Sequence, residues 1–284
     1  MNVATPTITG TTVCYPLFGH PVAQVSTPPT INEWFVRQSI DAVMFAIDTP
    51  PAAADEFFRL LRTWQNCGGC SITVPHKQAA FRVVDELTGR AHRSSSVNII
   101  RRLDDGRLIG DMTDGLAMIE ALKLNGVGVS GKSAMLVGGG GGAGAAIADA
   151  LCESGVATLY LVERDEKRRD YIFAALTRVY PDVSVVLTAP DAPESIDIAI
   201  NATALGMQQN DPLPFDPIVV RKDGIVADVV TKPAETALLR AAERLGRKVQ
   251  TGKEMATAQL EFQMRHLALW PGVQSSDAVG GELI

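Results

Sequence analysis

Apolar positions along this chain alternate between two rhythms. Short, nearly continuous runs of small and β-branched apolar residues predict buried strands, and stretches with apolar residues three and four apart predict helices. In the first half, residues 12–19, 42–48 and 71–74 have the strand pattern, and residues 30–40 and 52–64 the helix pattern, the latter with Phe57, Leu60, Leu61 and Trp64 on one face. Strands alternating with helices predict a parallel sheet with buried strands. A further strand pair over residues 95–111 turns at Asp104-Asp105-Gly106-Arg107. Pro75 has no N–H to give a ladder, so it closes the Ser71–Val74 strand and leaves Lys77 where strand hands over to loop or helix.

The second half repeats the alternation more plainly. Residues 132–155 read as a strand, a glycine loop and an alanine-rich helix, followed by a strand at 157–165 and a helix at 166–180. Strands at 183–187, 195–203 and 224–230, a helix at 235–246 and a closing helix at roughly 255–270 complete the pattern. The expected fold class is α/β in two domains: an N-terminal α/β substrate domain and a Rossmann-type, doubly wound dinucleotide-binding domain. The expected boundaries are 1–115 for the first and 116–252 for the second, with 253–284 returning as a C-terminal helix to complete the first.

The glycine loop carries the first chemical signal. Gly139-Gly140-Gly141-Gly142-Ala143-Gly144 satisfies G-x-G-x-x-G with a strand before it, a helix after it and an acidic residue about 20 positions on. Glycine lets the backbone turn tightly against a pyrophosphate, and the helix N-terminus offers N–H groups and a positive dipole end. Gly139, Gly141, Gly142, Ala143 and Gly144 are therefore candidate cofactor contacts, with a purely structural glycine turn as the alternative. Glu163 ends the next strand, where a carboxylate accepts ribose hydroxyls and repels a 2′-phosphate, which favours NAD over NADP. Arg164 beside it can pair with that phosphate and keeps NADP as the alternative.

Composition narrows the class further. With 284 residues, 46% hydrophobic and 20% charged, the chain has material for two real cores and none of the bias of a disordered segment. Its formal net charge of −6 argues against a nucleic-acid surface, while a pocket can still be locally positive for an anionic substrate. No secretion leader and no apolar run long enough to span a bilayer occur, so the expectation is a cytoplasmic protein without a membrane partner. Cys67-Gly-Gly-Cys70 is a single C-x-x-C without a second ligand pair, so no metal site is expected and reduced thiols are the default.

Seven short motifs, taken in order, make the chain resemble the shikimate/quinate dehydrogenase family. They are residues 19–32 (GHPVAQVSTPPTIN), Ser71–Lys77 (SITVPHK), Ser95–Ile99, Gly110–Gly115 (GDMTDG), the glycine loop, Asn201–Met207 and the trio Gly252, Met255 and Gln259. The resemblance implies that Lys77 and Asp114 form a catalytic pair at the ring hydroxyl being oxidised. It implies substrate contacts from Thr73, Asn98 and Gln259, nicotinamide-side contacts from Thr203 and Met207, and cofactor contacts from Gly252 and Met255. The expected partner is a small hydroxy-carboxylic acid, and the protein a monomer or homodimer. The chemistry is sound: an amine beside a carboxylate can hold a secondary hydroxyl, move its proton and stabilise charge on its oxygen.

Departures from the family pattern fall on the substrate side. Val25 stands for the first serine of a carboxylate-binding pair and Thr27 for the second; Ser71 replaces an asparagine; and Thr231, followed by Lys232, replaces a tyrosine. Each lost hydrogen bond is worth about 0.5–1.5 kcal/mol. The expected function is thus an NAD-preferring oxidoreductase acting on shikimate, quinate or a close analogue. The alternatives are a dehydrogenase of a different, for example amino-substituted, analogue, and a catalytically weak NAD-binding regulatory module.

Overall fold

The computed structural model describes residues 7–25, 27–190 and 192–273; the outer ends of the expected first domain lie outside them. By backbone contacts the chain forms two compact units, Asp114–Gln259 and the residues on either side of that segment.

The first unit runs β1 (Val13–Gly19), α1 (Thr27–Gln38), β2 (Ala42–Asp48), α2 (Ala54–Thr63), β3 (Gly69–Ile72), α3 (Lys77–Val83), β4 (Glu86–Leu87), α4 (Gly89–Ser94), β5 (Ile99–Arg102) and β6 (Leu108–Asp111). These strands form one sheet in the order β2-β1-β3-β5-β6-β4. The sheet is mixed: β5 and β6 are the strand pair expected to turn at Asp104–Arg107, and β5 also runs antiparallel to β3, which the alternation did not suggest. The β5–β6 pair is antiparallel because the link after Arg102 is short: it closes as a hairpin (Leu103 N–H to Arg107 O, 2.9 Å) and is too brief for a crossover. Helix α2 buries Ala54, Phe57, Phe58 and Leu61, whereas Leu60 is 54% exposed, so the apolar stripe is rotated from the expected one. Phe57 stacks on Phe18 of β1 at 3.9 Å. Elements α3, β4 and α4, with 7, 2 and 6 residues, are too short to leave a periodic signal.

The second unit contains α5 (Asp114–Leu124), β7 (Ser133–Val137), α6 (Gly142–Glu153), β8 (Thr158–Val162), α7 (Glu166–Val179), β9 (Ser184–Val186), β10 (Ile196–Asn201), β11 (Val220–Asp228), α8 (Ala237–Arg244), β12 (Lys248–Gln250) and the first turns of α9 (Gly252–His266). Its sheet, β12-β11-β10-β7-β8-β9, is parallel throughout, as expected of a doubly wound domain. Helix α6 is buried continuously from Gly144 to Cys152 beneath that sheet. Asp114 opens α5, and a Cβ at Gly115 would collide with the Ala146 carbonyl of α6, so the two helices meet backbone to backbone. Met255 and Ala258 of α9 join the core of this unit, while Met264 and Leu267 join the core of the first. The division therefore falls after Thr113 and after Gln259, where the sequence suggested Gly115 and Gly252. A reciprocal cap starts α9: Thr251 Oγ1 accepts from Glu254 N, and Glu254 Oε2 accepts from Thr251 N at 2.7 Å.

One ionic cluster in the first unit anchors the end of β6. Asp111 is wholly buried and accepts from Thr88 Oγ1 (2.5 Å), Met112 N (2.7 Å) and Arg90 Nη2 (2.5 Å). His266, 1% exposed, donates Nε2–H to the Ile109 carbonyl at 2.9 Å and sets Nδ1 3.6 Å from Asp111 Oδ2. Burial holds His266 below the ordinary value of 6.5, with Arg90 and Arg101 acting in the same direction and Asp111 against it. Burial alone would raise Asp111, but Arg90, His266 and the hydrogen bonds from Arg90 and Thr88 bring it below 3.8. Both groups bind protons more readily unfolded than folded, so stability is lost as the pH is lowered. The loss begins below 6.5 as the unfolded histidine protonates, and continues into the carboxylate range. Thermal melts between pH 7 and 5.5 should show a smaller drop in His266→Leu than in wild type. Asp111→Ala should cost about 3–5 kcal/mol by urea denaturation, because it leaves Arg90 without its carboxylate. A His266→Leu melt profile parallel to that of wild type would contradict the assignment.

Candidate active site

The glycine loop follows β7 and is shaped by close backbone approach. A Cβ at Gly139 would collide with Leu161, and one at Gly144 with the Gly138 carbonyl. One at Gly140 would come within 2.7 Å of Arg168 Cβ and 2.9 Å of Glu163 Cγ. Gly141 meets nothing nearer than 3.5 Å and is the N-cap of α6, with no side-chain cap on the helix. Gly142 and Ala143 form the first turn. The cradle thus fits a pyrophosphate: a Cβ is excluded at Gly138, Gly139, Gly140 and Gly144, and a helix N-terminus faces the turn. Glu163, after β8, accepts from Gly140 N (2.9 Å) and Asp165 N (3.0 Å), so its carboxylate lies against the loop; Arg164 is exposed.

On the other side of β7, the segment after β10 also touches this loop. Ala202 N donates to Val137 O at 2.8 Å, and a Cβ on Gly138 would stand 2.7 Å from Thr203 Cγ2. Thr203 Oγ1 donates to Asn201 Oδ1 (2.7 Å) and accepts from Leu205 N (3.0 Å); Met207 is 38% exposed. Gly252 is buried where a Cβ would collide with the Val230 carbonyl, and the Met255 side chain lies in the core of the second unit. Thr231 is half-buried beyond β11, and Lys232, exposed, precedes a cis proline peptide.

In the first unit, strand pairing gathers three candidate substrate residues, Ser71, Thr73 and Asn98, at one end of the sheet. Ser71 pairs with Ile99, and Ile99 with Asp111, so Ser71, Asn98 and Thr113 share that edge. Thr73 N extends the ladder to Phe18 O at 2.9 Å, one residue before the cis Val74–Pro75 peptide. Lys77 is the half-buried first residue of α3, and its carbonyl accepts from Val97 N at 3.0 Å. Asn98, 2% exposed, accepts from Thr113 N at 2.9 Å and donates Nδ2–H to Thr113 Oγ1 at 3.1 Å. The buried Ser71 hydroxyl makes no hydrogen bond with the described residues. Thr27 opens α1, while Val25 packs against the apolar cluster of Tyr15, Trp34 and Met264.

In the second unit, Gln259 of α9 donates Nε2–H to Oδ1 of buried Asp114 at 2.6 Å, joining two residues 145 positions apart. Lys77 and Asp114 belong to different units. The sequence reading did not single out Thr113, Asp111, Arg90, His266 or Asp228. For Asp228 a signal existed: it is the one charged residue inside the apolar run Gly224–Val230. Cys67 and Cys70 are buried free thiols; burial pushes Cys67 up to about 11 and Cys70 well above its usual value, which leaves both weak nucleophiles at neutral pH. Among the described residues no cluster of three His, Cys, Asp or Glu side chains can hold a metal, and no helix is long and apolar enough to cross a membrane.

The family model described as the shikimate dehydrogenase substrate binding domain matches residues 17–100. A shikimate dehydrogenase (NADP(+)) of Rubrobacter xylanophilus is 36% identical over 277 residues, covering 95% of each chain. The chain belongs to the shikimate dehydrogenase family. It is accordingly an NAD(P)-dependent oxidoreductase, and its two-domain α/β fold is the family's. Among solved structures, the shikimate 5-dehydrogenase of Listeria monocytogenes in complex with shikimate and NAD is 26% identical, with a TM-score of 0.81 over 98% of this chain and 99% of that one. The ligand-free 5-ketofructose reductase of Gluconobacter sp. strain CHM43 is 25% identical, with a TM-score of 0.80 over 95% and 97%.

Gly144→Val should abolish dinucleotide binding, because the side chain has no room beside the Gly138 carbonyl. Titration of NADH and NADPH by nicotinamide fluorescence checks this, and binding at wild-type affinity would contradict it.

Proposed function

We propose that this protein interconverts a ring secondary alcohol and the corresponding ketone of shikimate, quinate or a close analogue, with Lys77 and Asp114 handling the hydroxyl proton. The observation that carries the reading is Asp114, a buried carboxylate at the head of α5 oriented by Gln259, in a family that also supplies Lys77 at the head of α3. A dinucleotide supplies the redox chemistry when bound. Lys77 holds the substrate oxygen through its ammonium and stabilises the negative charge that grows there. Asp114 accepts from the substrate hydroxyl and works with Lys77 in moving its proton. Asn98, Thr73 and Ser71 offer polar groups to the other hydroxyls, Asn98 from a site already locked to Thr113.

NAD is the preferred dinucleotide in this reading. Glu163 accepts from Gly140 of the glycine loop, so its negative charge stands where a ribose 2′-phosphate would approach. The NADP in the name of the Rubrobacter relative and the NAD in the Listeria complex mark the two choices, and Arg164 is the residue that would serve the first.

A second reading is a substrate whose carboxylate is not gripped. It is favoured by Val25, committed to apolar packing, and by the likeness to a 5-ketofructose reductase.

A panel of ring hydroxy acids and ketosugars assayed with both dinucleotides and ranked by kcat/KM tests these readings. Lys77→Ala and Asp114→Ala should each lower kcat by about 10²- to 10⁴-fold while NADH binding persists. Full turnover in either variant refutes the pair. Glu163→Ala should shift the NADP/NAD ratio of kcat/KM upward by about tenfold, since it removes a like charge facing the phosphate; an unmoved ratio refutes the NAD preference. Val25→Ser should improve shikimate use if the second reading holds.

A further inference from the structure

Among the described residues of the second unit, two buried carboxylates, Asp149 and Asp228, are not used by the proposed mechanism, and Asp228 is the one at the end of a sheet strand. Asp228 is the last residue of β11, is wholly buried, and lies level with Asn201, the last residue of neighbouring β10. Its Oδ1 accepts from Asn201 Nδ2 and from Val230 N, both at 3.0 Å, and its Oδ2 accepts from Thr236 Oγ1 at 2.8 Å. Asn201 in turn donates to Leu205 O at 2.9 Å and accepts from Thr203 N at 3.0 Å, so one carboxylate reaches the whole turn after β10. Gly206 passes close by: a Cβ there would lie 3.3 Å from Thr236 and 4.0 Å from Asp228 Oδ2, and its φ of +102° suits glycine. The segment after β11 bears on α9, where Gly252 admits the Val230 carbonyl.

The sheet order says which part of a dinucleotide these turns would meet. The glycine loop follows β7, and Glu163, the ribose-facing acid, follows β8 on one side of it. A pyrophosphate on the loop with its adenosine over β8 sends the other half across β10 and β11. Thr203, Met207, Thr231 and Gly252 all lie on segments that Asp228 ties together or that press on them.

We propose that Asp228 is the positioning residue for the nicotinamide half of the cofactor site, holding the turns after β10 and β11 in one arrangement before the dinucleotide arrives. This rests on the glycine loop being the dinucleotide site, not on the identity of the substrate. The group is an expensive choice for a mere structural tie. Burial pushes its carboxyl up to about 6 against the three hydrogen bonds that lower it, so at neutral pH the fold carries an ionised group in a dry site.

The test uses the full-length protein and two ligands: NADH (with NADPH in parallel) by nicotinamide fluorescence, and ADP-ribose, which lacks the nicotinamide, by calorimetry. Asp228→Ala should weaken binding of the preferred reduced dinucleotide by about tenfold, as expected for loosening several hydrogen-bonded contacts, and leave ADP-ribose within about twofold. Asp228→Asn should restore reduced-dinucleotide affinity to within about threefold, because its oxygen still accepts from Asn201 and Val230 and its amide can donate to Thr236 Oγ1. If Asp228→Ala does not fold, Thr236→Val takes its place, with Thr236→Ser as the control that keeps the hydroxyl. Unchanged affinity for the reduced dinucleotide overturns the proposal. Equal loss of ADP-ribose also overturns it, since that is the mark of a general structural role. None of these measurements needs turnover, so a wild-type protein that ignores shikimate would refute the proposed function and leave this test standing.

Discussion

The close approach of the Gly144 backbone to the carbonyl of Gly138 sets the geometry of the second unit. No residue with a side chain can stand at 144 without pushing β7 and α6 apart. That approach places α6 beneath the parallel sheet, where it is buried along most of its length, and brings its N-terminus to the end of β7. Neighbouring contacts repeat the constraint: Gly139 against Leu161, Gly138 against Thr203, and Gly115 against Ala146. The same absence of side chains lets the turn close on its neighbours: Gly138 N donates to Val162 O at 2.8 Å, Gly140 N to Glu163 Oε2 at 2.9 Å and Gly141 N to Gly138 O at 3.2 Å.

Around this frame, the polar groups of the site are fixed in pairs that bridge distant parts of the chain. Asn98 with Thr113, Asp114 with Gln259, Glu163 with Gly140 and Asp228 with Asn201 each satisfy a buried or half-buried polar atom. A buried polar group without its bond costs about 1–3 kcal/mol, so each pair is stable only as a pair. Ser71 departs from this rule, with a buried hydroxyl that bonds to none of the described residues at the same sheet edge as Asn98.

The departures from the family pattern fall at positions that the resemblance assigns to the substrate, while the glycine loop keeps its G-x-G-x-x-G spacing. Val25 contributes to an apolar cluster with Trp34 and Met264, which gives that position a packing role where the family pattern has a hydroxyl. A valine cannot donate to a carboxylate. The glycine loop, Gly139 to Gly144, shows no comparable departure.

The sequence by itself determined the two-domain α/β class, strands β7 to β11 and helices α6 to α8 of the second unit, the closing helix and the glycine loop, but not α5 or β12. These are local signals: apolar runs, glycine spacing and one acid at a set distance. Family motifs added Lys77, Asp114, Asn98 and Gln259 as site residues, but not the bonds that hold them. Only the tertiary structure decided that β5 pairs antiparallel with β3, that α2 buries Phe58 in place of Leu60, and that α5 packs on α6 through Gly115. It also brought together Asp111 with His266 and Asp228 with Asn201 and Thr236. A hydrogen bond between residues tens of positions apart leaves no periodicity in either segment, and a short helix such as α3 or α4 is stable only through the neighbours it packs against.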